Sequence, residues 1–252
     1  MRKNKAKAKL KAGEPVVGFV FYGNWPEAVE MAGLLGADYV WLDGEHAAMS
    51  ISEIAGLVRA AEVADVTPIA RVSCNSQELI LRYLDAGVQG IVMPNVGCRE
   101  DAERLVRAVK YYPEGTRGCG HGHPMDYWIT QPFVEYMKEA NRETLIVALV
   151  ESKIGIENLD EIVKVPGVDV VHIGPLDLSA SLGIPTQFDH PQMRQALARA
   201  KTVVLPSDKK LGFGGWNARQ LIEEGIRFIT MDAQDVLIKG MRDYLKAARG
   251  ES

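Results

Sequence analysis

The sequence predicts a single α/β domain folded as a (β/α)8 TIM barrel, on three observations. Short apolar runs alternate with longer helical patterns until eight strand–helix pairs are complete. The runs are β-branched and apolar along their length, as parallel strands are when both faces are buried. The chain has 252 residues, a typical length for one such barrel. Closure removes both sheet edges and is the economical arrangement for eight units. An open doubly wound sheet is the competing arrangement. It lacks the Gly-x-Gly-x-x-Gly turn expected after its first strand.

The elements read in order as follows. Pro15 to Phe21 is the first strand, and Trp25 to Leu35 a helix closed by Gly36. Tyr39 to Leu42 is the second strand. The helix Ile51 to Val63 has Ser50 as its N-cap, where a hydroxyl accepts from a first-turn amide. Thr67 to Ala70 is the third strand, with a helix from Ser76 to Leu84 stopped at Gly87. Gly90 to Met93 is the fourth, with a helix from Arg99 to Val109. Residues 111 to 140 read as a long irregular stretch. Leu145 to Val150 is the fifth strand, followed by a helix through Ile162, and Val168 to Ile173 is the sixth. Pro191 to Val204 is helical, Lys210 to Phe213 the seventh strand, and Ala218 to Glu224 a helix. Phe228 to Met231 is the eighth strand, and Val236 to Ala248 the last helix.

Charge and composition exclude several classes. The formal net charge of −4 attracts neither nucleic acid nor an anionic membrane. The basic start, Arg2 to Lys9, is the one charge cluster; over residues 1–12 it reads as a solvated, mobile terminus or a first helix. No apolar run reaches the roughly 20 residues that span a bilayer. No apolar stretch and cleavage site follow the basic start, so a cytoplasmic protein is expected. Cys74, Cys98 and Cys119 are odd in number and widely spaced, which suggests neither a disulfide framework nor a zinc site.

In a (β/α)8 barrel, chemistry sits at the C-terminal strand ends. Strand two ends in Asp43-Gly44-Glu45-His46, strand three in Arg71, and strand five in Glu151. Strand six runs into Gly174-Pro175-Leu176-Asp177. A carboxylate beside a buried interior is costly unless it is paired or holds a metal. Glu151 and Asp177 therefore either pair with Arg71 or a lysine, or form an incomplete oxygen cage suited to Mg²⁺ or Mn²⁺. His46, flanked by Asp43 and Glu45, is a proton carrier or a loop histidine. Arg71 offers a fork for a carboxylate or enolate oxygen, or a structural ion pair. His121 and His123 have a spacing open to metal but no clear partner, and read as a mobile loop. His172 reads as a satisfied core residue, and His190 precedes a helix.

The run Asp38-Tyr39-Val40-Trp41-Leu42-Asp43-Gly44-Glu45-His46 resembles the signature of the HpcH/HpaI aldolases, metal-dependent class II pyruvate aldolases. Similar matches are Leu84 to Ile91, Tyr112 to Gly118, Val150-Glu151-Ser152 and Val170 to Ser179, so the resemblance covers roughly residues 15 to 248. It implies a divalent cation (Mg²⁺, Mn²⁺ or Co²⁺) held by Glu151 and Asp177. It implies Arg71 at the substrate's oxo group, and His46 as acid/base with Asp43 orienting it. It implies that the turn after Gly174-Pro175 receives the pyruvate carboxylate through the amides of Leu176 and Asp177. The resemblance also implies that Asp85 is an acid lent to a neighbouring subunit, in a homohexamer that exchanges its last helix. The partners implied are a 2-oxo acid and an aldehyde. Leu149 departs from the family's usual Gln, Ser152 from a frequent Thr, and His121-Gly122-His123-Pro124 from an arginine-containing loop.

Three other readings stay open at this level. One is a Schiff-base aldolase using Lys153. Another is a phosphosugar enzyme with Gly212-Phe213-Gly214-Gly215-Trp216 as phosphate loop, against which Asp232 and Asp235 argue. The third is a non-catalytic barrel that binds small acids. Tyr127 and Trp128, in the stretch Pro124 to Asn141, are expected either to wall the aldehyde pocket or to pack the loop on the barrel.

Overall fold

A computed structural model describes residues 2–250. Eight parallel strands close into a barrel in chain order. They are β1 (Val16–Phe21), β2 (Tyr39–Asp43), β3 (Thr67–Arg71), β4 (Gly90–Met93), β5 (Leu145–Val150), β6 (Val170–Ile173), β7 (Lys210–Gly214) and β8 (Phe228–Asp232). β1 closes the ring on β8, with Val20 opposite Asp232. The second, third, seventh and eighth strands each run one residue past the sequence-predicted end. Asp43, Arg71, Gly214 and Asp232 are thus within the ladder rather than beyond it.

Two apolar layers follow from the strand alternation. Outward residues such as Val40, Leu42, Ile91, Ile146 and Val171 pack against the surrounding helices. Inward residues such as Tyr39, Ile69, Val92, Val147 and Phe228 fill the barrel. The helices start where the sequence places their caps. Ser50 and Glu53 form a reciprocal capping box on the helix Ile51–Val63.

The basic start is a first helix, with Lys5, Lys9 and Lys11 exposed and its other face buried. Lys5–Lys11 is a helix capped by the Asn4 side chain, and its Ala6 and Leu10 join the barrel-interior cluster. Lys7 is buried; its ammonium donates to Thr144 O and Asp169 Oδ2, both at 2.7 Å. A run of alternating lysines hides this role because Ala6 and Leu10 share one face while Lys9 and Lys11 point outward.

The stretch read as irregular is also more ordered. It holds a short 3₁₀ segment, His123–Trp128, and the helix Phe133–Glu143. Tyr127 and Trp128 pack this excursion rather than wall the mouth. Trp128 lies 4.7 Å from the His121 ring and 5.2 Å from Phe133, and its Nε1 donates to Met125 Sδ. No described helix is long and apolar enough to cross a membrane.

Candidate active site

A cavity of about 610 Å³ opens at the C-terminal ends of the strands, and every strand but β4 contributes lining residues to it. Of the residues singled out by sequence, His46, Arg71, Glu151, Gly174, Pro175, Leu176 and Asp177 all line it. Asp43 lies directly behind, fully buried. Asp85 is elsewhere, on the helix Gln77–Ala86, where it accepts from Arg117 Nη2 at 3.1 Å.

Asp43 organises the β2–β3 side. Its Oδ2 accepts from both Nε (2.6 Å) and Nη2 of Arg71. Its Oδ1 accepts from the backbone amides of Glu45 (3.0 Å) and His46 (2.7 Å). Asp43 thus places the loop that carries His46 rather than fixing the imidazole. The ring stands at the exposed rim, with Nε2 3.8 Å from Glu45 Oε2. Glu45 also meets Arg71 Nη1 at 3.3 Å, and the guanidinium sits 5.8 Å from the Trp41 ring centroid. With two carboxylates around it, Arg71 is locked in place and stays charged. Burial pulls its pKa down, and Asp43, Tyr22 and Glu45 more than offset that.

Glu151 and Asp177 are not paired with Arg71 or with any lysine; neither forms an ion pair among the described residues. Glu151 is only 5% exposed. Its Oε1 accepts from Asn95 N at 2.8 Å, and Asn95 takes a positive φ of 56° to present that amide. Asparagine tolerates this left-handed backbone better than most residues. Burial, followed by the repulsion of Asp177, raises the Glu151 carboxyl to about 7. Burial also raises Glu45, and the Asp43 and Asp177 charges add to it. Gly174 makes room for the buried carboxylate: a Cβ there would stand 2.7 Å from Glu151 Oε2.

These residues fit the divalent cation that the resemblance implies. The donors are hard oxygens, as Mg²⁺ and Mn²⁺ require. One is held at high electrostatic cost beside another, which a cation would relieve. The described residues contain no cluster of three or more His, Cys, Asp or Glu able to hold a metal. Glu151 and Asp177 would therefore leave most coordination positions to water and substrate. The helix Pro175–Ser181 begins beside them with Gly174 as N-cap, so its geometry leaves the Leu176 and Asp177 amides without intrahelical partners.

Two alternatives lose their footing. Lys153 is exposed, and no lysine lines the cavity among the described residues. The glycines in and just after β7 serve close packing. A Cβ on Gly212 would lie 2.5 Å from His172 Nδ1, one on Gly214 2.6 Å from Thr230 Oγ1, and Gly215 N is spent on Thr230 O. Nor do His121 and His123 form a metal pair: His123 Nε2 meets Glu62 at 2.9 Å, while His121 packs on Trp128.

Sequence reading missed several lining residues. His172 is not a satisfied core histidine. It lines the cavity, its Nδ1 has no partner, and burial holds its pKa down to about 3, so the ring is neutral. Trp41 Nε1 beside it is also unpartnered. Tyr22 lines the cavity and interacts with both Arg71 and Asp232; burial and the Asp232 charge raise its phenol to about 12. Tyr22 directly follows β1, so the strand-end rule that found Arg71 would have found it too. Asn95 carries no comparable signal, since it acts through its backbone.

Known proteins resemble this chain in sequence and in fold. The model of the HpcH/HpaI aldolase/citrate lyase family matches residues 17–228. A hydroxypyruvate/pyruvate aldolase of Deinococcus radiodurans is 35% identical, over 93% of this chain and 86% of its own. A 5-keto-4-deoxy-D-glucarate aldolase of Salmonella paratyphi A is 33% identical over 90% of each. A crystal structure of an HpcH/HpaI aldolase from Desulfitobacterium hafniense superposes with a TM-score of 0.89 at 31% identity, covering 96% of both chains.

Proposed function

Because the chain belongs to the HpcH/HpaI aldolase/citrate lyase family, a family of carbon–carbon lyases, we propose that it reversibly cleaves 4-hydroxy-2-oxo acids to pyruvate, or a close 2-oxo acid, and an aldehyde, and that it requires a divalent metal. The observation that carries this reading is the Glu151–Asp177 pair. Two carboxylates without a cationic partner, one of them buried, share a cavity with a locked guanidinium and a rim imidazole.

Glu151 and Asp177 are the residues that would hold Mg²⁺, Mn²⁺ or Co²⁺. When bound, such an ion supplies Lewis acidity at the substrate's 2-oxo oxygen. Arg71, fixed by Asp43, keeps a positive charge where the enolate charge develops, and does so without reorganising. The amides of Leu176 and Asp177 receive the substrate carboxylate. His46 takes the 4-hydroxyl proton during cleavage and returns one to the aldehyde oxygen during synthesis. Its exposed place at the rim suits exchange of that proton with solvent.

The reading extends to assembly and location. The terminal helix Ala233–Arg249 buries no residue, and Val236, Met241, Tyr244 and Leu245 are exposed along it. That apolar surface supports a homo-oligomer, a hexamer by family likeness, in which this helix is exchanged and Asp85 reaches a neighbour's site. A cytoplasmic enzyme with no nucleic-acid or membrane partner fits the charge.

Pyruvate release from a panel of 4-hydroxy-2-oxo acids, by metal-reconstituted protein, tests the proposal. Folded His46→Ala protein is expected to lose about 10²–10⁴ in kcat, the range of a single acid/base group. Near-normal cleavage by that variant would reject the role of His46.

A further inference from the structure

The cavity has two unlike halves, and its charge is lopsided. Toward β5 and β6 lie Glu151 and Asp177, with the amides proposed for the 2-oxo acid. Toward β1, β7 and β8 the wall is Tyr22, Thr230, Asp232, Asp235 and Trp216. Arg71 is the one lysine or arginine that lines the cavity among the described residues, and Asp43 and Glu45 already engage three of its nitrogens. Among the described residues of this chain, no further lysine or arginine lines the cavity to hold a second carboxylate. Instead, Asp232 and Asp235 present acceptors for hydroxyl donors, and the Tyr22 phenol beside Asp232 and Arg71 can donate or accept. Trp216, exposed at the mouth, offers a flat face for the C–H edge of a polyol.

We infer that the site takes an uncharged, hydroxylated aldehyde as its acceptor and disfavours a carboxylated one, with Asp232 and Asp235 setting that choice. This rests on the aldolase reading and names the substrate class within it. The reaction is an addition. The pyruvate methyl carbon gives up a proton and bonds to the aldehyde carbon, and the aldehyde oxygen gains a proton to become the 4-hydroxyl. Nothing else is taken up or lost. The discrimination acts by repulsion: a carboxylate placed against two acids in a partly desolvated cavity is disfavoured whatever its shape.

The test uses two aldehydes of equal length, glycolaldehyde and glyoxylate, and measures kcat/KM for each with pyruvate. In Asp232→Asn/Asp235→Asn protein, the glyoxylate-to-glycolaldehyde ratio is expected to rise at least tenfold over the unsubstituted enzyme. Raising salt should lift the same ratio in the unsubstituted enzyme by screening. Asp235 is exposed, so the single Asp235→Asn variant, expected to rise severalfold, keeps the test open if the double variant does not fold. An unchanged ratio in the folded variants would overturn the inference. Exchange of pyruvate methyl protons with D₂O reads the 2-oxo-acid half alone. Exchange with an unchanged ratio sinks only the acceptor assignment, whereas absence of exchange and of aldol product sinks the aldolase reading as well.

Discussion

Glu151 is the residue on which most of the site's chemistry converges, and its neighbours show what keeps it there. The Asn95 amide holds one oxygen, and the missing side chain of Gly174 leaves room for the other. Gly174→Ala is therefore expected to push the carboxylate aside. Misplacement by about 1 Å costs on the order of 10² in rate, so steady-state kinetics should show a large kcat loss with the fold intact by circular dichroism. Arg71→Lys should be costly as well, because a point charge cannot satisfy Asp43 through two nitrogens and still face Glu45. At this scale the strand-end residues were legible, since barrel geometry alone sends Arg71, Glu151 and Asp177 to one rim. Asn95 and the unpartnered His172 Nδ1 were not, because a backbone amide and an orphan nitrogen leave no mark on residue type.

The two terminal helices behave oppositely as elements. Lys5–Lys11 inserts Ala6 and Leu10 into the barrel-interior cluster. Leu10→Ala should cost about 2–5 kcal/mol through lost burial and the space left behind. A fall in Tm checks this; no change would return the segment to a solvated terminus. The helix Ala233–Arg249 instead leaves its apolar face uncovered. Met241→Glu/Tyr244→Glu should shift the protein to smaller species in size-exclusion chromatography with light scattering. Strand and helix positions were readable from periodicity, but strand ends slipped by a residue because Asp43, Arg71 and Asp232 are polar residues that still pair in the ladder. The lysine-rich start left a solvated terminus and a first helix both open for a related reason: composition reports charge, whereas burial of Lys7 depends on Thr144 and Asp169 far along the chain.

For the whole molecule, the acid-rich mouth makes stability, pH and metal one linked problem. The Glu151 carboxyl is raised to about 7 in the metal-free fold by burial and Asp177, above its ordinary 4.5. The folded state then binds more protons than the unfolded state between those values. The associated stability is fully present below pH 4.5 and is lost as pH rises through 7. Glu151→Gln should therefore gain Tm relative to the unsubstituted metal-free protein as pH goes from 5 to 8, and a bound divalent ion should erase that advantage. A Tm difference independent of pH would contradict this coupling. The same linkage makes metal binding release protons near neutral pH.

The most direct measurement is Mn²⁺ titration of chelator-treated protein, of Glu151→Gln and of Asp177→Asn, with pyruvate release read in the same samples. One ion per chain in the unsubstituted protein, affinity at least tenfold weaker in both variants, and activity that returns in step with the ion are the expected results. Full activity in stripped protein, or undiminished Mn²⁺ binding in both variants, would contradict the assignment of these two carboxylates.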